Sequence, residues 1–86
     1  MRSIELLDKA LETASAAEWQ RRLGLSDATL YVARSRGSLS PSVAGALAEE
    51  LGEDVDRWIV IAALEGERNS NCKERMLNRY ELAATH

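Results

Sequence analysis

Four arginines, Arg21, Arg22, Arg34 and Arg36, fall between residues 19 and 40 and face a single acid there, Asp27. That stretch carries +3, although the 86-residue chain as a whole carries −3. A guanidinium presents a flat fork of donors that matches a phosphate, so such a cluster suggests a grip on the backbone of a polyanion. The plain alternative is a set of solvated side chains paired with the acidic stretch that follows. There Glu49, Glu50, Glu53, Asp54 and Asp56 stand against Arg57 alone. Little else in the chain suits covalent or metal chemistry. One cysteine, Cys72, and one histidine, His86, leave no disulfide framework, no Cys-based zinc site and no convincing nucleophile–base pair. Neither an enzyme nor a bound cofactor or metal is expected. Glu49 and Glu50 read as a solvated helix face, and Asp54 and Asp56 as acids suited to the positive end of the next helix.

The elements that must position the arginines are helices. Apolar residues make up 45% of the chain and charged residues 29%, as in a globular domain. Ile4, Leu7 and Leu11 recur at helical spacing with Leu6, Ala10 and Ala14 beside them, which gives a first helix over 3–14 with Ser3 as its N-cap. Ser15-Ala-Ala-Glu18 is a capping box, opening a second helix over 15–23 that buries Ala16, Trp19 and Leu23 and stops at Gly24. Ser26 caps a third helix over 26–35, with Leu30 and Ala33 inward, and Gly37 closes it before a short Ser38-Leu39 loop. Ser40-Pro41 opens a fourth over 40–51, with a stripe of Val43, Ala44, Leu47, Ala48 and Leu51 and a stop at Gly52. A fifth, over 54–68, has one apolar face at Val55, Trp58, Ile59, Ala62 and Ala63 and a second at Val60, Ile61 and Leu64. After Asn69 a sixth runs from Ser70 to about Ala84, with Cys72, Met76, Tyr80 and Ala83/Ala84 on one stripe. The expected fold is all-α, a compact bundle of five or six helices. The longest apolar run, Trp58 to Leu64, is far too short to span a membrane, and the N-terminal residues show no signal segment. A cytoplasmic protein without a membrane partner is the expectation.

Residues 17–37, AEWQRRLGLSDATLYVARSRG, place two short helices on either side of Gly24-Leu25-Ser26. A tight turn through glycine, an apolar residue after it and a capped second helix make a helix-turn-helix pattern. Some 20 residues later comes ALAEELGEDVDRW, from Ala46 to Trp58. Together these resemble the Cro/repressor-type, or lambda-repressor-like, helix-turn-helix domain of small phage- or mobile-element-related regulators. The resemblance covers Ala16 to Leu64 and rests on Leu23-Gly24-Leu25-Ser26, Leu30, Gly37 and Ala44 to Gly52. Two positions depart from that pattern. Gln20 stands where the family usually has alanine, and Ala33 where it usually has a larger inward residue.

The resemblance implies a five-helix fold that binds DNA. The chain divides accordingly into a helix-turn-helix DNA-binding domain over residues 1–69 and a C-terminal helix over 70–86, whose apolar residues make it a candidate dimerisation element and whose terminal His86 is expected to be disordered. The resemblance also implies a sequence-specific transcriptional regulator acting on double-stranded DNA, as a dimer on a palindromic operator. By position, the base-reading residues would be Asp27, Ala28, Thr29 and Val32. Asp27 would accept from cytosine N4, and the other three would touch thymine methyls. Ser15, Gln20, Arg21, Arg22, Ser26, Tyr31, Arg34, Ser35 and Arg36 would lie along the DNA backbone. The two apolar faces of the fifth helix require a cover, either the sixth helix or a second copy. The dimer reading puts Val60, Ile61, Leu64, Met76 and Tyr80 in that interface, with Cys72 as a buried or seam thiol. The alternative is a protein-interaction module, an inhibitor or adaptor of a host protein, that keeps the scaffold without reading DNA. The net acidity and the shortage of Arg, Asn or Gln at the reading positions favour this second class.

Overall fold

Serine and glycine mark most helix ends in this chain, and a long-range contact overrides the serine signal at the start of α1. The computed structural model describes residues 2–26 and 28–85, with side chains as far as Tyr80. The readings placed on Asp27, on His86 and on the Ala83/Ala84 stripe therefore lie outside the described residues. Six helices follow in order: α1 (Ser3–Leu11), α2 (Ala16–Leu23), α3 (Thr29–Arg36), α4 (Pro41–Leu51), α5 (Val55–Glu65) and α6 (Asn71–Thr85). No strand occurs among the described residues. Ser15 caps α2 by accepting the Glu18 N–H at 3.2 Å, and Asp54 caps α5 by accepting that of Arg57 at 3.1 Å. Ser40 precedes Pro41 at the start of α4. Gly24, Gly37 and Gly52 end α2, α3 and α4 with φ of 67°, 79° and 73°, a left-handed backbone that a side chain resists.

α1 departs from its expected limits at both ends. Ser3 is not the N-cap; Arg2 holds that position and Ser3 is the first helical residue, fully buried. Its Oγ accepts the Leu39 N–H at 2.8 Å, and its own N–H donates to the Glu65 carboxylate at 3.1 and 3.2 Å. The helix stops at Leu11 rather than running on to residue 14, because competing donors converge on the Ala10 carbonyl. The Thr13 hydroxyl reaches it at 2.9 Å and the Trp19 indole N–H at 2.7 Å. α3 starts at Thr29, not at Ser26. The Ser26 carbonyl accepts the Thr29 N–H in a turn, and the two hydroxyls lie 2.6 Å apart, so the serine does not cap the helix.

The core joins Leu6, Leu7 and Ala10 of α1 to Trp19, Leu30, Ala33 and Leu39, with Val43, Ala44, Leu47 and Ala48 of α4 and Trp58, Ile61 and Ala62 of α5. α4 and α5 make the most extensive pairing. Gly45 allows it: a Cβ there would sit 2.8 Å from Ile59 Cγ1. α6 lies against α5 through half-buried Lys73, Leu77 and Tyr80, which leaves Cys72 and Met76 exposed. Its inward stripe is thus rotated from the expected one.

This placement corrects the interface expected on α5 and α6. Ile61 is 1% exposed within its own chain's core and has no surface to offer a second copy. Val60 and Leu64 are half-buried, and Val60 shares a groove with Tyr80 of α6. The second apolar face of α5 is thus covered in part from within the chain, fully at Ile61 and half at Val60 and Leu64. Met76 stays exposed, outside that cover. No described helix is long and apolar enough to cross a membrane.

Candidate nucleic-acid interface

The two helices that carry the arginines are joined by a side chain that sequence reading placed elsewhere. Gln20, expected at a phosphate, is buried at 8% exposure, and its Oε1 accepts the Leu30 N–H at 3.2 Å. The amide it satisfies lies near the start of α3, where no preceding turn of helix supplies a carbonyl. An alanine would allow closer approach of the helices but would leave that N–H without this partner. The departure at Gln20 is therefore a polar coupling between α2 and α3. The Leu25 N–H closes the C-terminal end of α2 by donating to the Gln20 carbonyl at 2.8 Å across Gly24.

α3 buries only Leu30 and Ala33 against the body of the protein. A three-residue spacing gives a narrow inner stripe, and the rest of the helix faces out. Tyr31 is 75% exposed and Val32 45%, the two most exposed large apolar residues described. Ala28, Arg34, Ser35 and Arg36 are exposed beside them, while Thr29 is half-buried. Of the four expected base-reading positions, Ala28, Thr29 and Val32 thus lie on or at the edge of one outward face. Val32, Arg36 and Thr29 also line a groove of about 260 Å³ that runs to Ser38, Ser40 and Val43 at the start of α4. The groove has hydroxyls on its walls and an apolar floor. Leu39, placed in a loop by its sequence context, is buried beneath it at 2% exposure.

The arginines divide by partner. Arg21 meets Glu18 at 2.7 Å, and Arg22 lies 5.1 Å over the Trp19 ring and 3.6 Å from the same carboxylate. Arg34 meets Asp8 at 2.6 Å. Arg36 makes no ion pair among the described residues. All these pairs are solvent-exposed, and such pairs are worth about 0–1 kcal/mol, so a phosphate can displace the carboxylates at little cost. Ser15 and Ser26 are exposed, but the Ser15 hydroxyl already serves the α2 cap.

Among the described residues no group of three or more His, Cys, Asp or Glu side chains is placed to hold a metal. Compared with known proteins, the chain matches no family model, no curated protein and no solved structure.

Proposed function

We propose that the chain is a double-stranded-DNA-binding regulator in which α3 enters the major groove. The observation that carries this reading is α3 itself. It is anchored by only Leu30 and Ala33, fixed to α2 through Gln20, and turns Tyr31, Val32 and exposed arginines to solvent. Tyr31 and Val32 stand exposed among arginines, the mix of aromatic, apolar and cationic side chains that partner-facing surfaces favour. In this reading Ala28, Thr29 and Val32 read base edges and methyls. Tyr31, Arg34, Ser35 and Arg36 lie along the sugar-phosphate strand, and Arg21 and Arg22 along the opposite rail. A repressor of phage or mobile-element type, acting in the cytoplasm, is the form the sequence resemblance favours. A dimer on a palindromic operator remains part of the proposal, with Met76 and the outer side of α6 as the surface available for it.

One observation favours a second reading. The groove beside α3 has an apolar floor, and the outward face offers no Arg, Asn or Gln at Ala28, Thr29 or Val32. A protein-interaction module on the same scaffold would use that surface to hold an apolar side chain of a host protein. A mobility shift against the DNA flanking the gene for this chain, at two salt concentrations, separates the readings. A specific complex that weakens with salt supports the regulator. No complex at either salt leaves the interaction module.

A further inference from the structure

A second concentration of positive charge lies where the N-terminal residues, the α3–α4 loop and the α5–α6 junction meet. A pocket of about 340 Å³ there is lined by Arg2, Arg36, Lys73, Glu65, Ser38 and Leu77. Three cations thus face one carboxylate in a chain whose net charge is −3. Two of the cations, Arg2 and Lys73, are held in place by neutral groups. Arg2 Nη2 donates to the Gly37 carbonyl at 3.0 Å. Lys73 Nζ donates to the carbonyls of Glu65 and Glu67 at 3.3 and 2.8 Å and to Asn69 Oδ1 at 3.4 Å. Neither forms an ion pair among the described residues. The one carboxylate, Glu65, is engaged by the Ser3 N–H through both oxygens. Their charge is positioned but not neutralised, which is the condition for binding an anion.

Arg36 and Ser38 line both this pocket and the groove beside α3, so the two adjoin at the C-terminal end of that helix. We propose that the pocket of Arg2, Arg36 and Lys73 receives a backbone phosphate of the DNA segment flanking the one that α3 reads. The inference rests on the regulator reading above and extends its footprint to α1 and α6. Of these residues only Arg36 was expected to touch DNA. Arg2 and Lys73 are far apart in the chain, and Glu65 with the Gly37 carbonyl brings them together.

The test is duplex binding by the full chain at about 50 and 200 mM salt, with Lys73→Gln and Glu65→Gln variants. Each phosphate contact contributes about 0.9 to the salt slope, so Lys73→Gln should lessen the loss of affinity over that fourfold range by about 3.5-fold, with any duplex sequence. Lys73→Arg should restore it. Because Lys73 also ties α6 to the end of α5, Glu65→Gln supplies a readout that partial unfolding cannot imitate. It keeps an acceptor for the Ser3 N–H and removes the opposing charge, and should tighten binding roughly twofold or more. A wild-type chain that binds DNA, with both variants unchanged in affinity and slope, overturns this pocket and leaves the regulator reading standing. A wild-type chain that binds no duplex overturns both.

Discussion

The α4–α5 pair and the α2–α3 pair are built on opposite terms. In the first, a glycine lets two eleven-residue helices approach closely, and Ala44, Leu47, Ala48, Trp58, Ile61 and Ala62 are all buried. In the second, two eight-residue helices meet across one turn, and the outer helix contributes only Leu30 and Ala33 to the core. Buried apolar area stabilises roughly in proportion to its extent. The first pair therefore carries the stability, and the second is positioned by a few specific bonds. A surface meant to meet a partner belongs on the less buried pair, where side chains are free to change without unfolding the protein.

Four measurements break or sharpen this contrast. The largest effect should come from Leu47→Ala, at a fully buried site in α4. A loss of about 2–5 kcal/mol in denaturant unfolding is expected, a large fraction of what a domain of this size holds. A loss below 1 kcal/mol would show that α4 is not the centre of the fold. Gln20→Ala should cost less, about 1–3 kcal/mol, by leaving the Leu30 N–H without its partner. The same variant should also weaken partner binding more than its stability loss accounts for, because α3 loses its register against α2. Equal effects on folding and binding would reduce Gln20 to ordinary core packing.

The double variant Tyr31→Ala, Val32→Ser should change stability by no more than about 0.5 kcal/mol, since both side chains face solvent. It should nonetheless change the sequence preference of any DNA complex at the position Val32 reads, by about 1–3 kcal/mol. Unchanged preference would move the reading face off α3. The smallest effect concerns Glu53, whose ion pair with Lys9 links α1 to the α4–α5 loop. The Lys9 ammonium beside it, by hydrogen bond and charge, holds its carboxyl below the ordinary 4.5 against partial burial, with help from Trp58 and Arg57. A depressed carboxyl stabilises the fold above its unfolded pKa, and that contribution disappears as pH falls through the lower folded value. Unfolding followed from pH 6 down to about pH 3 should show a small decline that Glu53→Gln removes. An identical decline in the variant would assign it to other carboxylates.

The helix order was legible because its signals are local. Ser15, Ser40-Pro41, Gly24, Gly37 and Gly52 act within a turn of the helix they begin or end. Trp19 and Trp58 were legible as core from helical spacing, and both are buried. The misses involve partners distant in sequence. Ser3 was assigned a cap because its neighbours invite one, yet Leu39 claims its hydroxyl from 36 residues away. Spacing alone puts Cys72, Met76 and Tyr80 on the inner stripe of α6; Tyr80 does pack inward, but Lys73 and Leu77 take the inner positions in place of Cys72 and Met76 because of where α5 ends. Ile61 was assigned to a dimer because a helix apolar on two sides needs a cover, and α1, α4 and α6 supply it. At the candidate site, the outward face of α3 was legible from the helix-turn-helix pattern. Gln20 was visible as a departure from it, but the pattern alone did not reveal that the side chain satisfies the Leu30 amide.

The bonds that Ser3 makes have a consequence for the order of assembly. They close loops of 36 and 62 residues, onto Leu39 and onto Glu65. Long loops are closed late, because their entropy must be overcome before the contact forms. On a ribosome the N-terminal turn of α1 can meet Leu39 once the α3–α4 loop has emerged, but its bonds to Glu65 must wait until the end of α5 has been synthesised. The N-terminal turn of α1 therefore fastens the α3–α4 loop and the end of α5 together only after both have been made. In hydrogen exchange, the Leu39 amide, which sits in a loop, should be protected as long as the helices of the core and should report that fastening directly.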